Sequence, residues 1–288
     1  MAPSGSLTLA RFPPEGEVGQ AKQRQAAKDS GRPWAPVMPV AVSSATGTNH
    51  QVRLMEHLGK LSKRAEENTR AALQAARDAD SEHNRLGALH TILAGAMALM
   101  EREVEQGYAQ SAESQKLKGQ IACRKGCSFC CHLAVEASIV EAILVWRRAS
   151  QRADLTAAVH ANAHKSANVD PDQRWKMRQP CPMLGADGAC QVYEDRPGSC
   201  RAFVSVDAKA CERSLLTAGT GNADLSVPIV PFPRQIETAI SIGVRRACAA
   251  ENLQSCNVEL TAALHLLAND STAPGRWLAG ETVFRPYP

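Results

Sequence analysis

The stretch CRKGCSFCC, Cys123–Cys131, sets four thiols within nine residues. Residues three and four apart lie on one face of a helix, or fold around one centre in a loop. Gly126 disfavours a regular helix through the middle of the stretch. The reading is therefore a loop from Cys123, then a helix from Ser128, its N-cap, to about Ser150. That puts Cys130 and Cys131 in the first helical turn, where the helix dipole, with Arg124 and Lys125, should lower thiol pKa values. Thiolate is the form that binds metal. Cys130 and Cys131 are adjacent, so their side chains are expected to diverge and not to chelate one ion together.

A second stretch, CPMLGADGACQVYEDRPGSCRAF, sets Cys181, Cys190 and Cys200 at intervals of nine and ten. Asp187-Gly188 is a turn signal, as is Glu194 to Gly198. Between them Cys190, Val192 and Tyr193 suit a short extended piece. The turns would carry these thiols back towards the first group. All ten Cys fall between Cys123 and Cys256, with none in the first 122 residues. That marks where the chemistry sits.

The two stretches together resemble the cysteine-cluster family called CxxCxxCC or YkgJ-type, from Cys123 to Phe203. The match runs Gly126-Cys127-Ser128-Phe129-Cys130-Cys131-His132, then Cys181-Pro182-Met183-Leu184, then Cys190 through Arg196-Pro197-Gly198 to Cys200-Arg201-Ala202-Phe203. It departs at the first spacing: three residues separate Cys123 from Cys127, where the family name implies two. The resemblance implies a bound zinc or iron–sulfur centre in a small domain of helices and irregular loops. Some relatives look like iron–sulfur proteins, and the flagellin lysine methylases carry a similar cluster. The implied ligands are Cys123, Cys127, Cys130, Cys131, Cys181, Cys190 and Cys200. A tetrahedral zinc or a four-iron cluster takes four thiolates. Three are left for a second centre, or for structural or redox roles. Such a centre carries about two negative charges, and Arg124, Lys125, Arg196 and Arg201 are candidate compensating neighbours.

Cys123, Cys127 and Cys130 also fit the CxxxCxΦC pattern of radical SAM enzymes. That fold needs repeated β–α units after the motif, and none is read. Cys211 is the strongest candidate for an extra ligand, while Cys248, on a helix with Ile236, Ile240 and Val244, reads as a core thiol. His160 and His164, four apart, suit an exposed helical face better than a metal pair. His132 beside the cluster suits a structural role. Glu136 and Glu141 suit the solvated side of the helix. There is no phosphate-binding Gly loop and no dinucleotide fingerprint.

Around this segment the chain is expected to be mostly α. Residues 1–50, with six Pro and five Gly, read as a disordered arm. Residues 51–118 read as helical, with a heptad seam through Leu54, Leu58, Leu61, Ala65, Asn68, Ala72, Ala75 and Ala79, then Leu86, Leu89, Leu93, Ala96 and Met100. Asp78, Asp80 and Ser81 suit a cap that splits it into a hairpin. The seam suits packing on the protein's own body, or self-association or a protein partner. Residues 119–288 read as the cysteine-cluster metal-binding domain, with later helices over 154–164, 235–250 and 257–269.

The net charge of +4 over 288 residues and 4% aromatics give no sign of a nucleic-acid partner. The longest uncharged apolar run, Leu86–Met100, is too short for a membrane span. With no signal-peptide pattern, the sequence reads as cytoplasmic, where thiols stay reduced and abundant Cys argues for metal or redox chemistry. The leading expectation is a protein holding a Cys-ligated centre, four-iron iron–sulfur before zinc. An iron–sulfur oxidoreductase or methylase-like enzyme, and a zinc-stapled interaction module, are the alternatives.

Overall fold

The computed structural model describes residues 47–166, 169, 171–224 and 226–287. The arm expected over 1–50 lies outside the described residues as far as 46, and Gly47 already belongs to a helix. In chain order the helices are α1 (Gly47–Arg77), α2 (Glu82–Ala109) and α3 (Ala112–Gly119). A 3-10 turn, Phe129–His132, and strand β1 (Glu136–Ser138) precede α4 (Ile139–Ser150), α5 (Ala153–Ser166) and α6 (Pro171–Lys176). The cysteine segment continues through a 3-10 turn at Tyr193–Asp195, α7 (Gly198–Ala202) and α8 (Ala208–Thr217). Then come α9 (Pro231–Ala250), β2 (Asn257–Glu259), α10 (Leu260–Asn269) and α11 (Ala273–Leu278). The mostly α reading holds, and no helix among the described residues is long and apolar enough to cross a membrane.

The first long helical segment is a hairpin. Ala, Leu, Glu, Lys and Arg dominate α1, and no Pro interrupts it. The break comes at Asp78–Ser81, where the Ser81 hydroxyl accepts the Asn84 N–H at 3.2 Å and caps α2. The buried stripe of α1 is Leu61, Ala65, Thr69, Ala72, Leu73 and Ala76. Past Ala65 it keeps the heptad position at Ala72 but shifts at two others: Asn68 and Ala75 are exposed while Thr69 and Ala76 are buried. A straight helix turns every 3.6 residues and drifts away from a 3.5-residue repeat.

That stripe is covered by α9 of the same chain. A Cβ on Gly243 would collide with the Ser62 carbonyl and lie 2.8 Å from Ala65 Cβ, so the absent side chain lets the two helices meet. At one end Arg77 Nη1 pairs with Glu251 Oε2 at 2.6 Å. The helix α9 starts four residues before the expected Gln235, because Pro231 and Pro233 sit in its first turn, where no backbone N–H is missed.

Two expected helices begin late, for one reason. Residues Glu136–Ser138 pair antiparallel with Asn257–Glu259, in the register Glu136↔Glu259 and Ser138↔Asn257. Each strand runs straight into a helix cap. Ser138 and Glu141 form a capping box on α4, and Glu259 accepts the Ala262 N–H at 2.8 Å on α10. The helix expected from Ser128 therefore starts at Ile139, and the one expected from Asn257 starts at Leu260.

Behind the clasp, α4 buries Val140, Ile143, Leu144 and Val145 against α5 and α10, whose Val159, Leu264 and Leu267 are also buried. Leu73, Leu89 and Leu93 of the hairpin join the same cluster. Each such side chain contributes about 1.5–3 kcal/mol on burial. Cys248 is 4% exposed in this core, as expected.

Gly243→Ala tests the α1–α9 contact. Overpacking there should cost about 1–3 kcal/mol in urea unfolding; an unchanged midpoint would contradict this packing.

Candidate metal centre

The first thiol stretch is held by turns. Cys127 N–H bonds Arg124 O at 3.0 Å, Cys131 N–H bonds Ser128 O at 2.9 Å, and Leu133 N–H bonds Cys130 O at 3.2 Å. Ser128 makes no side-chain cap. The second stretch folds at Asp187-Gly188, where Leu184 and Cys190 bridge and Gly185 N–H bonds Ala189 O at 2.9 Å. Tyr193, expected in an extended piece, lies instead in the 3-10 turn ending at Asp195.

The two stretches then meet. Cys181 N–H donates to Cys131 O at 2.8 Å. Gly126 and Gly188 both take positive φ, +87° and +73°, and a Cβ on Gly188 would lie 3.0 Å from Gly126 O. Cys200 rides on α7, whose first N–H, from Gly198, donates to Glu141 Oε1 at 2.8 Å. Glu141, read as solvated, is thus tied to the α4 cap and to α7.

The Glu194–Gly198 loop is braced from outside. Asp195, 4% exposed, accepts from Arg148 Nε at 2.6 Å. Arg201 donates to the carbonyls of Arg196, Tyr193 and Glu194, and pairs with Glu101 of α2 at 3.1 Å.

These contacts enclose a cavity of about 700 Å³ walled by Cys127, Cys130, Cys131, Cys181, Cys190 and Cys200. Six of the seven expected ligands thus share one space. Cys123 does not line it. It is exposed, and its Sγ accepts the Ser205 N–H at 3.3 Å. Arg124, Lys125 and Arg196 also line the cavity, as does Arg234, which carried no signal in the motifs. Arg234 comes from the first turn of α9, over 30 residues beyond the last matched Cys. Arg196 stacks on Tyr193 at 4.6 Å, and its Nε is buried without a partner among the described residues. His160 and His164 are exposed, and neither lines the cavity.

The thiol electrostatics run opposite to the dipole expectation. Burial, then the charges of Cys123 and Cys130, push the Cys127 thiol up. A hydrogen bond with Cys131, then burial, push Cys130 far up. Burial raises Cys190, and it pushes Cys181 and Cys200 up to about 12. The Arg196 charge pulls Cys130, Cys190 and Cys200 back down. The N-terminus of α4 stands at Ile139 and not at Cys130, which lies in a 3-10 turn of four residues.

Among the described residues, no three His, Cys, Asp or Glu donors stand close enough to hold one metal ion. A tetrahedral zinc needs four donors at about 2.0–2.3 Å.

Residues 122–217 match the CxxCxxCC family model, described as "Putative zinc- or iron-chelating domain". The match supports zinc or iron chelation by this segment. It covers a third of the chain and takes in Cys211 as well as the seven expected ligands. The hairpin α1–α2 and all of α9–α11 lie outside it. No curated protein and no solved structure matches the chain.

Metal must displace protons from these thiols. With Cys181 and Cys200 protonated up to about pH 12 in the metal-free chain, binding through both releases two protons. Affinity should therefore rise with pH, by at least about 100-fold per unit across the neutral range, and more for each further thiol that binds. Competition titrations at two pH values check this; a pH-independent affinity would contradict it.

Proposed function

We propose that this chain is an iron–sulfur protein, holding a four-iron cluster in the cysteine-walled cavity. The observation that carries the reading is that six thiols line one space of about 700 Å³. The ligands are drawn from Cys127, Cys130, Cys131, Cys181, Cys190 and Cys200, with Cys123 outside the ring. Arg196, Arg124 and Lys125 offset the thiolate charge, while the braces at Asp195 and Arg201 hold Cys190 and Cys200 in position. Such a cluster supplies one-electron transfer at a potential set by surrounding charge and hydrogen bonds.

The cavity also supports a second reading, an iron–sulfur oxidoreductase with room for a small molecule beside the cluster. Its volume lies within the range of small-molecule sites, about 300–1,000 Å³. Leu133, Val135, Leu260 and Tyr287 provide a wall without thiols. The interaction-module reading is weakened by α9, which fills the face of α1 that a partner would need.

Iron and acid-labile sulfide analysis of anaerobically purified protein tests the proposal. Equal iron and sulfide, with visible absorption bleached by dithionite, is the expected result. Cys130→Ala with Cys200→Ala should abolish it, while Cys248→Ala should leave it intact. Colourless protein holding only zinc would overturn the reading.

A further inference from the structure

The wall of the cavity that carries no thiols is built where the clasp meets the C-terminal segment. Leu133, Val135 and Leu260 make it apolar, and Glu136, Arg234 and Tyr287 line it as polar groups. Leu260 N–H donates to the Val135 carbonyl at 2.9 Å, which joins the apolar residues across the clasp. Arg234 Nη2 stands 3.6 Å from Glu136 Oε2, and Glu136 Oε1 accepts from Asn257 Nδ2 at 2.5 Å. The carboxylate is thus pinned from the opposite strand.

Tyr287 is brought to this wall by a chain of contacts. Gln254 Oε1 accepts the Val283 and Phe284 N–H groups at 2.9 Å each, and the Trp277 indole N–H donates to the Gln254 carbonyl at 2.9 Å. Phe284 and Trp277 are both buried. Beyond that anchor, Tyr287 N–H donates to the Asn257 carbonyl at 2.6 Å. Burial, then the charges of Glu136 and Glu259, push the Tyr287 phenol up to about 12, so it stays protonated and keeps a proton to donate.

The cations of the cavity divide between two tasks. The charge of Arg196 acts on Cys130, Cys190 and Cys200, and that of Arg124 on Cys127. Arg234 faces Glu136 instead, at a separation longer than a hydrogen bond, and its side chain makes no hydrogen bond among the described residues. Its fork of donors is free for a planar carboxylate. Glu136 keeps lone pairs beyond the one that Asn257 takes. One positive and one negative group therefore stand side by side next to apolar residues. A ligand that matches them carries both charges and is neutral overall, so a negative thiolate centre does not repel it.

We propose that the thiol-free wall binds a small zwitterion with an apolar body, of the class of the apolar α-amino acids. Its carboxylate meets Arg234 and Tyr287, its ammonium meets Glu136, and its body lies on Leu133, Val135 and Leu260. The proposal rests on the oxidoreductase reading of the same cavity and names the class of molecule held beside the centre.

Calorimetric titration of the anaerobically purified full chain, with its metal, tests it. The probes are leucine, isocaproate, which lacks the ammonium, and isoamylamine, which lacks the carboxylate. Leucine should bind at least about 10-fold more tightly than either, because each analogue leaves one charged group of the wall unmet. Arg234→Gln should weaken leucine and isocaproate about 10-fold and leave isoamylamine no weaker. Glu136→Gln should weaken leucine and isoamylamine and leave isocaproate no weaker. Both variants should keep the metal content of the parent. Leucine bound no more tightly than the analogues would overturn the proposal, as would equal losses of all three probes in either variant. A parent chain that carries its metal and does not bind leucine overturns this proposal alone. A parent chain without metal overturns the underlying reading, and metal analysis shows that whatever the probes do.

Discussion

Burial and mutual repulsion hold the protons on five of the thiols that share one cavity: Cys181 and Cys200 are pushed up to about 12, and Cys127, Cys130 and Cys190 are all shifted up. The rest of the site answers that constraint. Arg124, Lys125, Arg196 and Arg234 all line the cavity. A metal centre supplies the remaining positive charge, so the metal-free arrangement is primed to exchange protons for metal.

Bringing the thiols together is the task of the helical scaffold. The three-residue clasp of β1 and β2 ties the end of the first motif to the C-terminal helices, and it directs the chain into α4 through the Ser138–Glu141 box. Glu141 reaches on to Gly198 and so fixes α7, which carries Cys200. The α1–α2 hairpin packs against α9, and Glu101 of α2 holds Arg201 beside the second motif. Segments outside the cysteine motifs therefore position the residues inside them.

That six of the seven motif thiols share one cavity was legible because clustered Cys is rare and its spacing has a chemical meaning, while the exposure of Cys123 was not. The hairpin was legible from the cap signal at Asp78, Asp80 and Ser81. Its exact seam was not, because a heptad template drifts against a straight helix. The cap at Ser128 was misread although the true one was in plain view: Ser138, Glu141 and the apolar run behind them follow the capping-box pattern. What hid it was β1, too short to leave an alternating signature. Consequently the dipole argument for low thiol pKa values failed with the helix it needed. Arg234 carried no signal at all. Its place at the cavity comes from tertiary packing, on a helix that the motifs do not include.

X-ray absorption at the metal edge of the anaerobically purified protein tests the central claim most directly. The account expects iron with an all-sulfur first shell and an iron–iron scattering path, as a cluster ringed by thiolates requires. A lone ion, or a first shell dominated by nitrogen and oxygen, would contradict it.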